Sequence, residues 1–160
     1  ELLLVVVPRH PERFGEVKKL CEQQQLAVVM RTSDDVCHQH TDVYLADTMG
    51  ELRMLYAACD AAFVGGSMVP VGGHNILEAA AVGAPVLFGP YMANFKEIAE
   101  RVLRQDAAIQ CRNESAIIGA IIALHADSAY RQSLAEKGRA FVRQNQGAIA
   151  SIFDILIQDI

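Results

Sequence analysis

Three expected helix starts in this sequence pair a capping side chain with a glutamate three residues later: Thr48 with Glu51, Asn75 with Glu78, and Asn94 with Glu97. This is the spacing of a capping box, in which the first side chain accepts from a first-turn amide and the glutamate reaches back to the cap. A helix start of this kind presents unpaired N–H groups and a partial positive charge, which suits a phosphate. The richest surroundings are those of the second pair, in FVGGSMVPVGGHNILEAAAVGAPV at residues 63–86. Gly65 and Gly66 permit a tight exit from a strand, and Gly72 and Gly73 permit close backbone approach just before Asn75. The segment is neither the GxGxxG dinucleotide fingerprint nor the lysine-containing loop of nucleotide hydrolases, so neither mechanism carries over. By itself a glycine-rich loop is equally a connector.

The side chains around it carry two readings each. Glu78 either completes a cap or holds ribose hydroxyls, and His74 either precedes the cap or donates to a phosphate or carboxylate. Ser67 reads as a turn residue or phosphate contact rather than a nucleophile, since no serine-histidine-aspartate arrangement follows from spacing. Arg9 and His10, in VVVPRHPERF, follow the first apolar run with Pro11 placed to open a helix. An arginine fork there suits a phosphate or sugar carboxylate, although a solvated loop arginine is the commoner case. Cys37, His38 and His40 do not make a metal site, because structural zinc wants four ligands and no second cluster stands at suitable spacing. No metal or cofactor is expected.

The elements that must position these groups alternate. Apolar runs at 2–7, 26–30, 43–45, 61–64, 85–88 and 107–109 read as strands, separated by helical stretches at 11–25, 49–58, 76–82 and 95–104. Such alternation predicts an α/β fold, a Rossmann-like parallel sheet with helices on both faces. Each capping pair follows a strand, so the three helix starts are expected to gather at the carboxyl edge, where open α/β sheets bind ligands. Beyond 114 the pattern is helical only, at 114–126, 128–145 and from 148 onward. In that last run Ile149, Ile152, Phe153, Leu156 and Ile160 form one apolar stripe, for its own core or for a partner.

Bulk properties bound the function. A chain of 160 residues with 52% hydrophobic and 21% charged residues is expected to fold as one domain over 1–160. A formal net charge of −5 lacks the basic footprint of a nucleic-acid binder. No apolar run approaches the ~20 residues that cross a bilayer. The four cysteines are scattered and read as reduced, cytoplasmic thiols. A start at Glu1 that runs directly into a strand reads as an excised piece of something longer.

PRHPERF together with DTMGELRMLYAACDAAFVGGSMVPVGGHNILEAAAVGAPVLFGPYMANFKEIAE resembles the C-terminal domain of bacterial 3-deoxy-D-manno-octulosonic acid (Kdo) transferases, over most of residues 5–100. Met68 and Val71, and the loop of Tyr91, Met92 and Ala93, depart from the pattern. The resemblance implies the C-terminal half of a two-domain GT-B glycosyltransferase that binds the donor CMP-Kdo, with a helical C-terminal tail and with the N-terminal acceptor domain absent. It implies donor contacts at Pro8, Arg9, Met49, Gly50, Glu51, Asn75, Ile76, Leu77 and Glu78, and more weakly at His10, Thr48, Gly66, Ser67, Gly73, His74 and Asn94. The family transfers Kdo to a lipid A precursor in lipopolysaccharide synthesis, with inversion and without a metal, at the cytoplasmic face of the inner membrane. Its general base looks like a glutamate of the N-terminal domain, so this chain is expected to be soluble, to bind donor and to lack transfer activity alone. A UDP-sugar transferase domain and a non-catalytic nucleotide-binding module are the alternatives.

Overall fold

The structure, a computed structural model, describes residues 2–33 and 35–158, of which 146–158 are described as backbone alone. The chain divides into two compact units, residues 1–55 and 56–160. Among the described residues six strands pair in two sets of three, and each of these pairings is parallel.

The first unit holds β1 (Leu4–Val6), a 3-10 turn at Pro11–Arg13, α1 (Phe14–Gln23), β2 (Val28–Met30) and β3 (Val43–Leu45). The strand order is β1-β3-β2, with Val43 level with both Leu4 and Val28. The central strand is the best covered, Val43 being 1% and Leu45 0% exposed. Pro11 opens the 3-10 turn that leads into α1, as its fixed φ favours. The helix α2 (Leu52–Ala58) begins here and runs across the division between the units.

The second unit contains β4 (Ala62–Val64), α3 (Leu77–Val82), β5 (Val86–Phe88), α4 (Lys96–Arg104), β6 (Ile109–Gln110), α5 (Glu114–Ala126) and α6 (Ser128–Gln158). The strand order is β4-β5-β6. Side chains alternate across a strand, and β5 shows the consequence. Val86 and Phe88 join a cluster with Ala79 and Ala80 of α3, Ala99 and Val102 of α4, and Phe141 of α6. Leu87 enters a second cluster with Leu124 of α5 and Leu134 of α6. A strand buried on both faces reads as an unbroken apolar run, which is why VLF was legible as a strand.

All six expected strands and all the expected helical stretches are present, with two differences. The stretches 128–145 and 148 onward form one continuous helix, α6. A side-chain cap also lies at a start not singled out in the sequence, where Asn113 Oδ1 accepts from the Ala116 amide at 2.9 Å to open α5. The stripe of Ile149, Ile152, Phe153, Leu156 and Ile160 lies outside the residues whose side chains are described.

Candidate functional site

In the first unit, Pro8, Arg9 and His10 follow β1 and the segment 48–51 follows β3, so both lie at the carboxyl edge of the parallel sheet. Arg9 and His10 are exposed, and His10 Nδ1 stands 3.7 Å from Glu12 Oε1. Thr48 and Glu51 are joined, but side chain to side chain: the Thr48 hydroxyl donates to Glu51 Oε2. Arg31, at the end of β2, forks onto the same carboxylate, with Nε donating to Oε2 at 3.2 Å and Nη2 to Oε1 at 3.1 Å. The Thr48 hydrogen bond, followed by Arg31, holds the Glu51 carboxyl below the ordinary glutamate range. Next to this pair, Thr32 donates its amide to Asp47 Oδ1 at 3.0 Å and its hydroxyl to Asp47 Oδ2. Burial pushes the Asp47 carboxyl up, and hydrogen bonds from Thr32 together with the backbone at Asp47 and Arg31 outweigh it so that the net shift is downward. Between the two carboxylates the chain turns at Gly50, with φ of +86°, and Met49 stands 62% exposed.

In the second unit, the loop after β4 and the loop after β5 are laced together. The Gly73 amide donates to Gly66 O at 2.9 Å, the Asn94 amide to Gly72 O at 3.0 Å and the Tyr91 amide to Ser67 O at 2.9 Å. Gly89 passes so close to the first loop that a Cβ there would stand 2.2 Å from Ser67 O, so only glycine fits. Gly73 has φ of +74°, and a Cβ on it would stand 2.4 Å from the Met92 sulfur. The loops therefore form a braced scaffold that delivers His74 and Asn75 to the start of α3. The His74 ring lies beside Gly66, Nε2 being 3.0 Å from the place of a Cβ on that glycine.

At the start of α3, Asn75 Oδ1 accepts from the Leu77 amide at 3.0 Å and Asn75 Nδ2 donates to Glu78 Oε1 at 3.2 Å. Glu78 is exposed, whereas Ile76 is 1% exposed and packs its side chain in the core, so Ile76 faces the loop through its backbone alone. Leu77 is half-buried against the same core. Tyr56, which sequence reasoning missed, lies close enough to feel Glu78: burial first, and then the Glu78 charge, push its phenol above the ordinary tyrosine range.

One expectation is corrected. The three pairs do not form capping boxes with reciprocal backbone bonds. The helices begin at Leu52, Leu77 and Lys96, later than a box at Thr48, Asn75 and Asn94 requires. Asn94 instead sits in a 3-10 turn at Ala93–Phe95, its side chain against Gly72. Ser67, read as a turn residue or phosphate contact, does lie in the turn after β4; it is 0% exposed, and its hydroxyl donates to Val64 O at 2.5 Å and accepts from the Gly89 amide at 2.8 Å. That hydroxyl is spent on the fold. A surface cavity of about 310 Å³ lies elsewhere, at the amino ends of β4 and β5, lined in part by Cys59, Asp60 and Arg131. Among the described residues no group of three or more His, Cys, Asp or Glu is placed to hold a metal ion. Among the same residues no helix is long and apolar enough to cross a membrane.

No family model matches the chain. It is 36% identical, over 97% of its length, to the 3-deoxy-D-manno-octulosonic acid transferase of Haemophilus influenzae and covers 36% of that protein. To the transferase of the same name from Bordetella pertussis it is 37% identical over 96% of its length, again covering 36% of the relative. The chain thus spans about a third of these curated relatives. Among solved structures it matches the C-terminal CMP-Kdo binding domain of WaaA from Acinetobacter baumannii with a TM-score of 0.84 and 36% identity, over 88% of this chain and 74% of that one. The calicheamicin glycosyltransferase CalG4 matches at 20% identity with a TM-score of 0.52, which shows a shared fold alone.

Proposed function

Because the chain belongs to the Kdo transferase family, as a relative of its C-terminal domain, we propose that it is the donor-binding part of a transferase using CMP-Kdo. The observation that supports this most is the match to a CMP-Kdo binding domain over 88% of the chain. The resemblance carried by PRHPERF, DTMGEL and GGHNILE assigns the donor contacts. They are Pro8, Arg9 and the turn of Met49, Gly50 and Glu51, together with Asn75, Ile76, Leu77 and Glu78. His10, Thr48, Gly66, Gly73, His74 and Asn94 border these contacts.

Each role follows from the chemistry of the group. Glu78 is exposed and gives one oxygen to Asn75, so lone pairs remain to accept from the ribose hydroxyls. The glycine-lined approach to α3 and the Arg9 guanidinium meet the phosphate, whose negative charge grows as CMP leaves. Met49 and the backbone of Gly50 face the base and the neighbouring sugar. Phosphate charge met this way requires no metal. In the whole enzyme an acceptor hydroxyl of a lipid A precursor attacks the anomeric carbon from the face opposite CMP, with inversion. A general base outside these residues takes its proton. This chain then binds donor but does not transfer it by itself. The transfer takes place at the cytoplasmic face of the bacterial inner membrane.

Calorimetric titration with CMP and UMP tests the reading. The chain is expected to bind CMP in preference to UMP, and Glu78→Ala and Arg9→Ala to weaken CMP binding roughly tenfold or more each, the effect of removing a charge-assisted hydrogen bond. A preference for UMP would replace the donor by a uridine sugar nucleotide. Absence of binding to either would contradict a donor site in this chain.

A further inference from the structure

We infer that Arg31 is a positioning residue for the turn of residues 48–51, acting through Glu51 rather than on the ligand. In its bearing on the nucleotide this rests on the donor reading above. Three hydrogen bonds converge on the Glu51 carboxylate, two from the Arg31 fork and one from the Thr48 hydroxyl. An ionised carboxylate offers about four lone-pair directions, so the chain itself fills most of them. The Glu51 side chain is thereby held as a tie within the turn, which also presents Met49, 62% exposed, and the backbone at Gly50.

The tie is anchored on the end of β2. The Arg31 amide donates to Leu45 O at 2.8 Å, and Thr32, the next residue, holds Asp47 by both its amide and its hydroxyl. Two successive residues from one strand end thus grip the two carboxylates that flank the bend at Gly50. A planar guanidinium meeting both carboxylate oxygens fixes orientation as well as distance, which a lysine ammonium cannot do. Both side chains are partly open to solvent, 42% for Arg31 and 28% for Glu51, so the pair adds little to global stability. Its loss is expected in the turn and not in the melting temperature.

The test combines CMP titration with amide hydrogen exchange at residues 49–52 in the wild-type chain, Arg31→Ala, Arg31→Lys, Glu51→Ala and the Arg31→Ala/Glu51→Ala double variant. Arg31→Ala is expected to unfold at nearly the wild-type temperature, to speed exchange at 49–52 and to weaken CMP binding ~10-fold, as loss of a supporting contact does. Arg31→Lys recovers part of this. The double variant should be no weaker than Glu51→Ala, because both act through one contact. Additive losses would mean that Arg31 meets the nucleotide itself and would overturn the inference. So would wild-type exchange and affinity in Arg31→Ala. Should the wild-type chain not bind CMP, the donor reading fails, while exchange at 49–52 still decides whether Arg31 holds the turn.

Discussion

At the scale of single residues, the loops are held by side chains with partners both near and far in sequence. Ser67 is the clearest case, its hydroxyl joining the exit of β4 to the exit of β5 through Val64 and Gly89. Ser67→Ala strips both bonds and leaves the Gly89 amide unpaired in a buried place. We expect a loss of about 1–3 kcal/mol, the cost of orphaning such a group, read from urea unfolding. A variant with wild-type stability but weakened nucleotide binding would instead make Ser67 a ligand contact. This also explains what the sequence concealed. Spacing identified Thr48 with Glu51 and Asn75 with Glu78 as pairs, and both pairs touch. It carried no signal for Arg31, twenty positions before Glu51, because an arginine after a strand looks the same whether it is solvated or forked onto a distant carboxylate. Likewise Tyr56 lies in a helical run whose apolar pattern gives no hint of Glu78.

At the scale of elements, more was legible. Each strand of a parallel sheet covered on both faces is a short apolar run, and runs such as VVM, VYL, AFV and VLF are difficult to read otherwise. Helix starts were read less well, since a cap depends on where the first hydrogen-bonded turn closes, which the loop decides. The Asn94 segment has the composition of a cap, but its packing against Gly72 draws it into a 3-10 turn and α4 begins at Lys96. The same physics predicts which element is least tolerant. Leu87 of the central β5 is 0% exposed and belongs to the cluster facing α5, so Leu87→Ala removes several methyl groups and leaves a cavity. A destabilisation of about 2–5 kcal/mol is expected for such a truncation, measured by denaturant unfolding. A loss below about 1 kcal/mol would mean that the β5 and α5 layers repack freely, against the close packing described.

At the scale of the whole molecule, the chain is a relative of a domain and spans about a third of the curated transferases it matches. Donor binding is the property that such a part can carry, whereas transfer needs an acceptor and a base besides. The proposal names particular donor contacts, which makes the location of bound nucleotide the decisive observable. The most direct measurement is amide chemical-shift mapping of the isotope-labelled chain titrated with CMP. The account predicts that the largest changes fall in two clusters, one at 8–10 and 48–51 and the other at 73–78, and that UMP reproduces them weakly or not at all. Changes confined instead to Cys59, Asp60, Arg131 and their neighbours around the cavity at the amino ends of β4 and β5 would contradict it, and would place the nucleotide at the opposite end of the second unit's sheet.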